Sequence, residues 1–320
     1  MVTIGYHASH ELFAPDVLLD LARRAEGAGF AAAMCSDHFH PWTERQGKSG
    51  FAWAWLGAAL EATSLPFGVV NSPGQRYHPA IVAQAAATLA EMYPGRLWVA
   101  MGTGQNLNEH ITGGPWPPKP ERRARLLESV EVIRALWAGE EVSHRGRVRV
   151  ESARLYSRPA TPPLINGAAL TAETAEWVGS WADGLITVPG KPDTMRQVVE
   201  AFRRDGGEGK PMALQVALSW AEDEEEALRA AHRHWPVAAV DLAKNQDLPM
   251  PADFDRETSG LRPEDLRDKL RISADGDRHV AWLREDIALG FGSIYLHPIG
   301  PDPASFLDTF GRRVLPALTG

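Results

Sequence analysis

FAAAMCSDHFHPW occupies Phe30–Trp42. Its first part, Phe30–Cys35, is a short unbroken apolar run of the size of a buried strand. Its second part sets an acid, two imidazoles and an indole (Asp37, His38, His40, Trp42) directly at the end of that run. None of these four is needed to build a strand, and all of them can bond or wall a ligand. In a barrel of parallel strands, chemistry gathers where strands end and the following loops begin.

The same alternation extends in both directions. Short apolar runs at Thr3–Tyr6, Phe30–Cys35, Pro66–Val70, Leu97–Met101, Pro163–Asn166, Gly184–Val188, Met212–Ser219 and Ser293–His297 read as strands. Amphipathic stretches separate them. VLLDLARRAEGAG places Val17, Leu18, Leu21 and Ala22 on one helical face and ends at glycine. Leu126, Leu127, Val130, Ile133, Leu136 and Trp137 repeat at helical spacing further on.

Eight strands alternating with helices predict an α/β fold, a (β/α)8 TIM barrel. A doubly wound open sheet is the competing architecture, but no GxGxxG follows the first strand. The 320 residues read as one barrel domain, 1–320, with two additions. Glu140–Arg158 reads as a hairpin inserted before strand five, and Pro236–Ile272 as a helical insertion before strand eight.

Composition narrows the function. Apolar residues make up 44% and charged residues 23%, enough to bury a full core. A net charge of −8 argues against a broad nucleic-acid-binding surface. Cys35 is the only cysteine, so neither an intrachain disulfide nor a cysteine metal cluster can form. No apolar run is long enough to cross a bilayer, and MVTIGYHASHELF lacks the pattern of a secretory signal. The expectation is a soluble, cytoplasmic protein acting on a small molecule, with no nucleic-acid or membrane partner.

The other strand mouths carry directed hydrogen-bonding groups too. HASHELF brings His7, His10 and Glu11; VVNSPGQRYHP brings Asn71 and Ser72; MGTGQNLNEH brings Gly104, Gln105 and Asn108. NGAA, Asn166–Gly167–Ala168–Ala169, is small enough for a backbone to approach a ligand and stands just before a helix N-terminus, where N–H groups can hold a phosphate. It is equally consistent with a plain turn. His38 is the candidate base, since a neutral imidazole can take a hydroxyl proton as a hydride leaves. Trp42 offers an indole face to a ring or a charged intermediate. The pair His38 and His40 spells HxH, which also opens a metal reading. Metal-dependent barrel hydrolases need further histidines after middle strands and an aspartate after strand eight, and neither is found here.

GYHASHELFAP, SDHFHPW, RYHPAIVAQ, YPGRLWVAMGTGQNLNE and ADGLITVPGK together resemble the bacterial luciferase-like superfamily. The nearest branch is that of the deazaflavin F(420)-dependent glucose-6-phosphate dehydrogenases, or an FMN-using offshoot of it. The resemblance runs through nearly the whole chain in order and is weakest over 236–272. It implies an isoalloxazine-type cofactor, FMN or coenzyme F(420), and a homodimer. It implies that His38, Trp42, Gln105 and Glu11 stand at catalytic positions. It implies cofactor contacts from Asp37, Val69, Val70, Ser72, Gly104, Gln105, Asn108 and the NGAA stretch, with a non-proline cis peptide at Val69–Val70. Lys191, Lys244 and Lys269 match or neighbour basic positions that bind a substrate phosphate, and no metal is implied.

One position departs from the pattern. Gln105 stands where the sugar-phosphate dehydrogenases carry a glutamate credited with proton exchange at the reduced ring. An amide can donate a hydrogen bond there but cannot carry the proton. The function expected is therefore hydride transfer between an FMN- or F(420)-type cofactor and a small hydroxylated substrate, possibly phosphorylated. The alternatives are an FMN-dependent monooxygenase or reductase, a flavin-binding protein without turnover, and, last, a metal-dependent hydrolase.

Overall fold

The computed structural model describes residues 2–319. The strands are β1 (Thr3–Ala8), β2 (Ala32–Ser36), β3 (Phe67–Asn71), β4 (Leu97–Met101), β5 (Val142–Arg145), β6 (Arg149–Ala153), β7 (Ile165–Ala168), β8 (Gly184–Thr187), β9 (Met212–Ser219), β10 (Arg271–Ile272) and β11 (Ser293–Pro298). The helices through the first half are α1 (Pro15–Gly27), α2 (Ala52–Ala62), α3 (Pro79–Met92), α4 (Asn106–Glu109) and α5 (Lys119–Ala138). Those that follow are α6 (Ala172–Gly179), α7 (Pro192–Phe202), α8 (Glu224–His234), α9 (Leu242–Asp247), α10 (Pro251–Thr258), α11 (Gly276–Ala288), α12 (Pro303–Arg313) and α13 (Leu315–Thr319).

Eight strands pair in parallel around a closed ring in the order β11, β1, β2, β3, β4, β7, β8, β9 and back to β11. The registers are continuous, for example Ile4 with Ile294 and Leu185 with Met212. β5 and β6 form the separate antiparallel hairpin before β7, and β10 pairs only with the end of β9. The helices cover the outside because their apolar stripes face the strands. In α1, Leu18, Leu21, Ala22 and Ala25 are buried, Pro15 starts the first turn, and the helix ends before Gly29 at φ 94°. In α8, Asp223 caps the N-terminus, three glutamates fill the first turn and His232, Arg233 and His234 fill the last, in line with the helix dipole.

Two glycines seal the lower barrel. A Cβ on Gly68 would lie 2.0 Å from the Trp98 ring, and one on Gly5 would lie 2.5 Å from the Tyr295 ring. The two aromatics fill that space, and the Trp98 indole N–H donates to the Tyr295 hydroxyl at 3.1 Å.

Strand ends differ from expectation in two places. β2 begins at Ala32 rather than Phe30, because the Phe30 N–H still closes the α1 turn on the Ala25 carbonyl. The NGAA stretch does not follow its strand but largely forms it: Asn166 and Gly167 pair with Ala100 and Met101 on one side and with Gly184 and Leu185 on the other. The expected cis bond is corrected as well. Among the described residues every peptide is trans. Val69 and Val70 lie inside β3, in register with Cys35 and Ser36 and with Val99 and Ala100, and the Val70 carbonyl accepts from the Asp37 N–H.

The stretch 236–272 is largely helical, ends in β10 and, together with the end of α8, reaches across the C-terminal mouth. On one side the Gln46 amide donates to the His234 carbonyl at 2.9 Å and the Glu44 N–H to the Asp255 carboxylate at 2.9 Å. On the other, the Asn106 side chain donates to the Asp247 carbonyl and Arg122 to Gln246. The insertion thus ties the loop after β2 to the loop after β4.

Candidate active site

Glu11, His38 and Trp42 meet at the mouth of β1 and β2. β1 stops at Ala8, and a tight turn through Ser9 brings Glu11 back over the strand end. The Ser9 hydroxyl donates to Glu11 Oε2 at 2.8 Å. Glu11 Oε1 lies 3.6 Å from His38 Nδ1. That is just short of a hydrogen bond, as catalytic pairs often are before a ligand closes the site. The His38 and Trp42 rings are 4.9 Å apart and tilted. Ser49 bonds the His38 carbonyl and fixes its backbone.

Burial, helped by the charge of Arg76, lowers the His38 pKa to about 4. The imidazole is therefore neutral at physiological pH, with a lone pair available. Burial also raises the Glu11 carboxyl, against its hydrogen bonds to its own backbone and to Ser9. Below this group lie two further imidazoles in contact. His7 and His297 stand 4.3 Å apart, and His297 meets the Trp235 ring edge-on at 4.5 Å. Both are pushed toward the neutral form by burial, His297 to about 3.

Beside the histidine runs a buried ionic group. Arg76 donates to the Asp37 backbone carbonyl at 2.7 Å and lies 3.4 Å from its carboxylate. Its Nε is 3.6 Å from Glu109, which also accepts from the Arg76 backbone N–H at 2.7 Å. Burial raises both carboxyls and Arg76 pulls both down. Asn108 knits the loops together, since its Oδ1 accepts from the Phe39 and His40 N–H groups at 2.9 and 3.3 Å. Ser72 donates to the Gly102 carbonyl. Gly104 takes φ 84°, and a Cβ there would meet Ser72 Oγ at 2.9 Å.

The mouth fits a flat ring with polar edges. Asp37 Oδ1, Asn71 Oδ1 and Glu109 Oε1 are buried without a hydrogen-bond partner, an arrangement that costs free energy unless something donates to them. Close by, Ser72 Oγ and the Glu109 side chain pack directly over Gly104, which binds the ends of β3 and β4 together.

The sequence-predicted residues do not all gather. Glu11, His38 and Trp42 do, with Asp37, Ser72, Gly104 and Asn108 alongside. Val69 instead faces the outer core, while Val70, Ala168 and the rest of their layer face the barrel interior. Asn166 sits deeper, within β7, Gly167 backs onto Val178, and Ala169 is buried after the strand. Gln105 is held from above, donating to Asn245 of α9 at 3.2 Å. Of the lysines, Lys244 pairs with Glu257 at 2.7 Å. Lys191 and Lys269 are exposed, at the start of α7 and in the turn before β10. His40 turns away from His38: its Nδ1 bonds the Leu107 carbonyl and its ring stacks on His110. Among the described residues no three His, Cys, Asp or Glu side chains gather as a metal site. Sequence reasoning placed Glu109 and His297 at strand mouths without giving them a role, and did not single out Arg76 or Trp235. Arg76 and Glu109 lay within quoted motifs; nothing marked Trp235.

A family model described as luciferase-like monooxygenase matches residues 2–292. The chain belongs to the bacterial luciferase-like family. It shares 37% identity with the F420-dependent glucose-6-phosphate dehydrogenase of Nakamurella multipartita, over 99% of this chain and 96% of the relative. A solved F420-dependent secondary alcohol dehydrogenase, in complex with an F420-acetone adduct, superposes with a TM-score of 0.92 at 30% identity, covering 100% and 99% of the two chains. A monooxygenase from Streptomyces bottropensis shares the fold at 22% identity and a TM-score of 0.76. This luciferase-like protein is thus a flavin- or deazaflavin-dependent oxidoreductase acting on a small molecule.

Proposed function

We propose that this luciferase-like enzyme uses coenzyme F(420) to oxidise an alcohol, or in reverse to reduce a carbonyl. The observation that carries the reading is the Glu11–His38–Trp42 group at the mouth of β1 and β2. The bound deazaflavin supplies a two-electron hydride acceptor. The chain supplies the rest. Neutral His38 takes the hydroxyl proton as the carbinol hydride leaves, Glu11 faces the resulting imidazolium, and Trp42 walls the substrate. Asp37, Ser72, Gly104 and Asn108 would hold the cofactor ring. The full-length relatives with F420 in their names support this choice of cofactor.

One observation favours FMN as a second reading. Gln105 cannot exchange a proton with a reduced deazaflavin, and its amide is engaged by Asn245. Titrating the protein separately with FMN and F(420), by the fluorescence of each, separates the two. Tight F(420) binding with alcohol-dependent bleaching of its absorbance supports the proposal, and binding of FMN alone overturns it.

We also place the enzyme in the cytoplasm as a homodimer. Its lone thiol, Cys35, is buried and free, and among the described residues no helix is long and apolar enough to cross a membrane. The outer faces of α2 and α3 carry Phe51, Ile81 and Met92, each more than half exposed, with alanines between them. A second copy meeting the same face by two-fold symmetry would cover them.

A further inference from the structure

His38 is closed in on three sides. Above it, Trp42 packs edge-on against Phe254 and Trp235, at 5.4 and 6.5 Å, and Val237, Leu107 and Leu248 complete this apolar roof. Below it lie His7 and His297, and beneath them Trp98 and Tyr295 fill the barrel. Beside it stands the positive charge of Arg76, held between Asp37 and Glu109. A proton taken by His38 therefore meets carbon above, a filled barrel below and a like charge at its side. Alcohol oxidation releases one proton per turnover, and that proton needs a route out.

The fourth side is the turn after β1. Glu11 Oε2 accepts from the Ser9 hydroxyl, which leaves Oε1 toward His38 Nδ1 at 3.6 Å. The residue before Glu11 in this turn is His10. Its ring is fully buried, and neither of its nitrogens has a hydrogen-bond partner. An imidazole used only for packing would leave both polar atoms unsatisfied, a cost that a hydrocarbon side chain would avoid. Burial lowers the His10 pKa to about 4, the Glu11 carboxylate works against that, and the charge of His38 adds to it, so the three groups share one field.

His10 also reaches outward. It meets Trp55 of α2 edge-on at 5.0 Å, while the Trp55 indole N–H donates to the Pro15 carbonyl. A Cβ on Gly50 would lie 3.1 Å from His10 Nδ1 and 2.9 Å from Pro15 Cγ. Gly50 is not among the glycines with positive φ, so what its missing side chain provides is space beside the imidazole. Gly50 is partly exposed and Pro15 exposed, which puts that space at the edge of the surface.

We propose that His10 is the exit relay for the proton released in turnover, carrying it from Glu11 to water between Gly50 and Pro15. This rests on the alcohol oxidation proposed above. The carbinol C–H bond breaks with its electron pair passing to the oxidised ring, and the C=O bond forms. The hydroxyl proton goes to His38, whose Nδ1 proton passes to Glu11 Oε1. Glu11 hands its proton to His10, and His10 gives one to water. In carbonyl reduction the same groups bring a proton in.

The test uses the purified enzyme with each of oxidised F(420) and FMN, follows loss of ring absorbance, and takes 2-propanol, cyclohexanol and glucose 6-phosphate as reductants. His10→Phe, which keeps the packing on Trp55, should lower kcat about 10-fold and raise the solvent deuterium isotope effect, while single-turnover bleaching falls less. Added imidazole should restore kcat in His10→Ala, which leaves a ring-sized space, and not in His10→Phe. Gly50→Ala, which sets a methyl against Nδ1, should slow kcat in the same way. A further readout needs neither cofactor nor substrate. In the cofactor-free enzyme, NMR should show the His10 ring N–H exchanging with water faster than those of His7 and His297, which are comparably buried. Unchanged kcat and isotope effect in His10→Phe, or His10 exchange as slow as that of His297, overturns the relay and leaves alcohol oxidation standing. Bleaching of neither ring by any of the three reductants overturns both.

Discussion

His38 Nδ1 and Glu11 Oε1 lie 3.6 Å apart, delivered by the ends of two neighbouring strands. His38 does not turn to Asp37, its neighbour in the chain, because Asp37 is engaged by Arg76. This division gives one carboxylate to the base and another to the ionic group beside it. His38→Asn should lower kcat by about 10²–10⁴-fold, the usual contribution of general base catalysis, while cofactor affinity changes little. Glu11→Gln should lower kcat less. Steady-state kinetics with a cofactor titration check both, and unchanged turnover in His38→Asn would remove the base assignment.

The pH profile follows from the same group. With its pKa lowered to about 4, His38 is in its base form throughout the neutral range. The rate kcat/KM should therefore hold as pH falls through 6.5, where an ordinary histidine titrates, and drop only near pH 4–5. A sharp loss centred near 6.5 would show that His38 titrates as an exposed imidazole.

Stability should respond to acid much sooner than activity. His7, His10, His38, His279 and His297 all have pKa values lowered by burial. Each binds a proton more readily unfolded than folded, so the stability it confers is present above about pH 6.5 and is lost as pH falls toward its folded value. His10, His38, His279 and His297 each contribute about 1–2 kcal/mol of loss between pH 7 and 5, and His7 acts in the same direction. The raised carboxyls of Glu11, Asp37 and Glu109 act in the opposite direction but are fewer. Thermal melts should show Tm falling by roughly 5–15 °C over that interval, and a flat Tm would contradict the burial of these rings.

Arg76 holds two buried carboxylates together. Arg76→Leu leaves both without their cation and should destabilise the fold by about 3–5 kcal/mol. The partner change Glu109→Gln, which keeps hydrogen bonding and removes one charge, should cost less. Urea unfolding of the two variants gives the comparison, and equal costs would mean that the charges are already screened by water.

The proposed dimer face gives a prediction independent of chemistry. Ile81→Lys with Met92→Glu places charges on the exposed surface of α3, where neither side chain supports the core. Sedimentation should then show a monomer with an unchanged melting curve in place of a dimer.

The barrel was legible because its signal is repeated. The buried strands are short and mostly apolar, and α1, α3, α5 and α8 end at glycine or just before proline. The candidate base was legible because Asp37, His38 and Trp42 have no packing reason to cluster after Cys35. The roof was not legible. Trp235 and Phe254 read as ordinary apolar residues in a charged insertion, and their meeting with Trp42 depends on chain segments about two hundred residues away. The partner of Lys244 was hidden for a similar reason: sequence shows a cation near a pocket but not that Glu257 pairs with it. The Val69–Val70 expectation failed because both residues keep the regular pairing of a central strand.

The aromatic plug of Trp98 on Gly68 and Tyr295 on Gly5 makes the barrel a vessel with one opening. Two reactants must share that entrance, and the helical insertion already spans part of it. On the proposed reaction, traffic through such a site would be sequential: the cofactor would be seated first, the substrate would arrive last, and the product would depart before the cofactor could be exchanged.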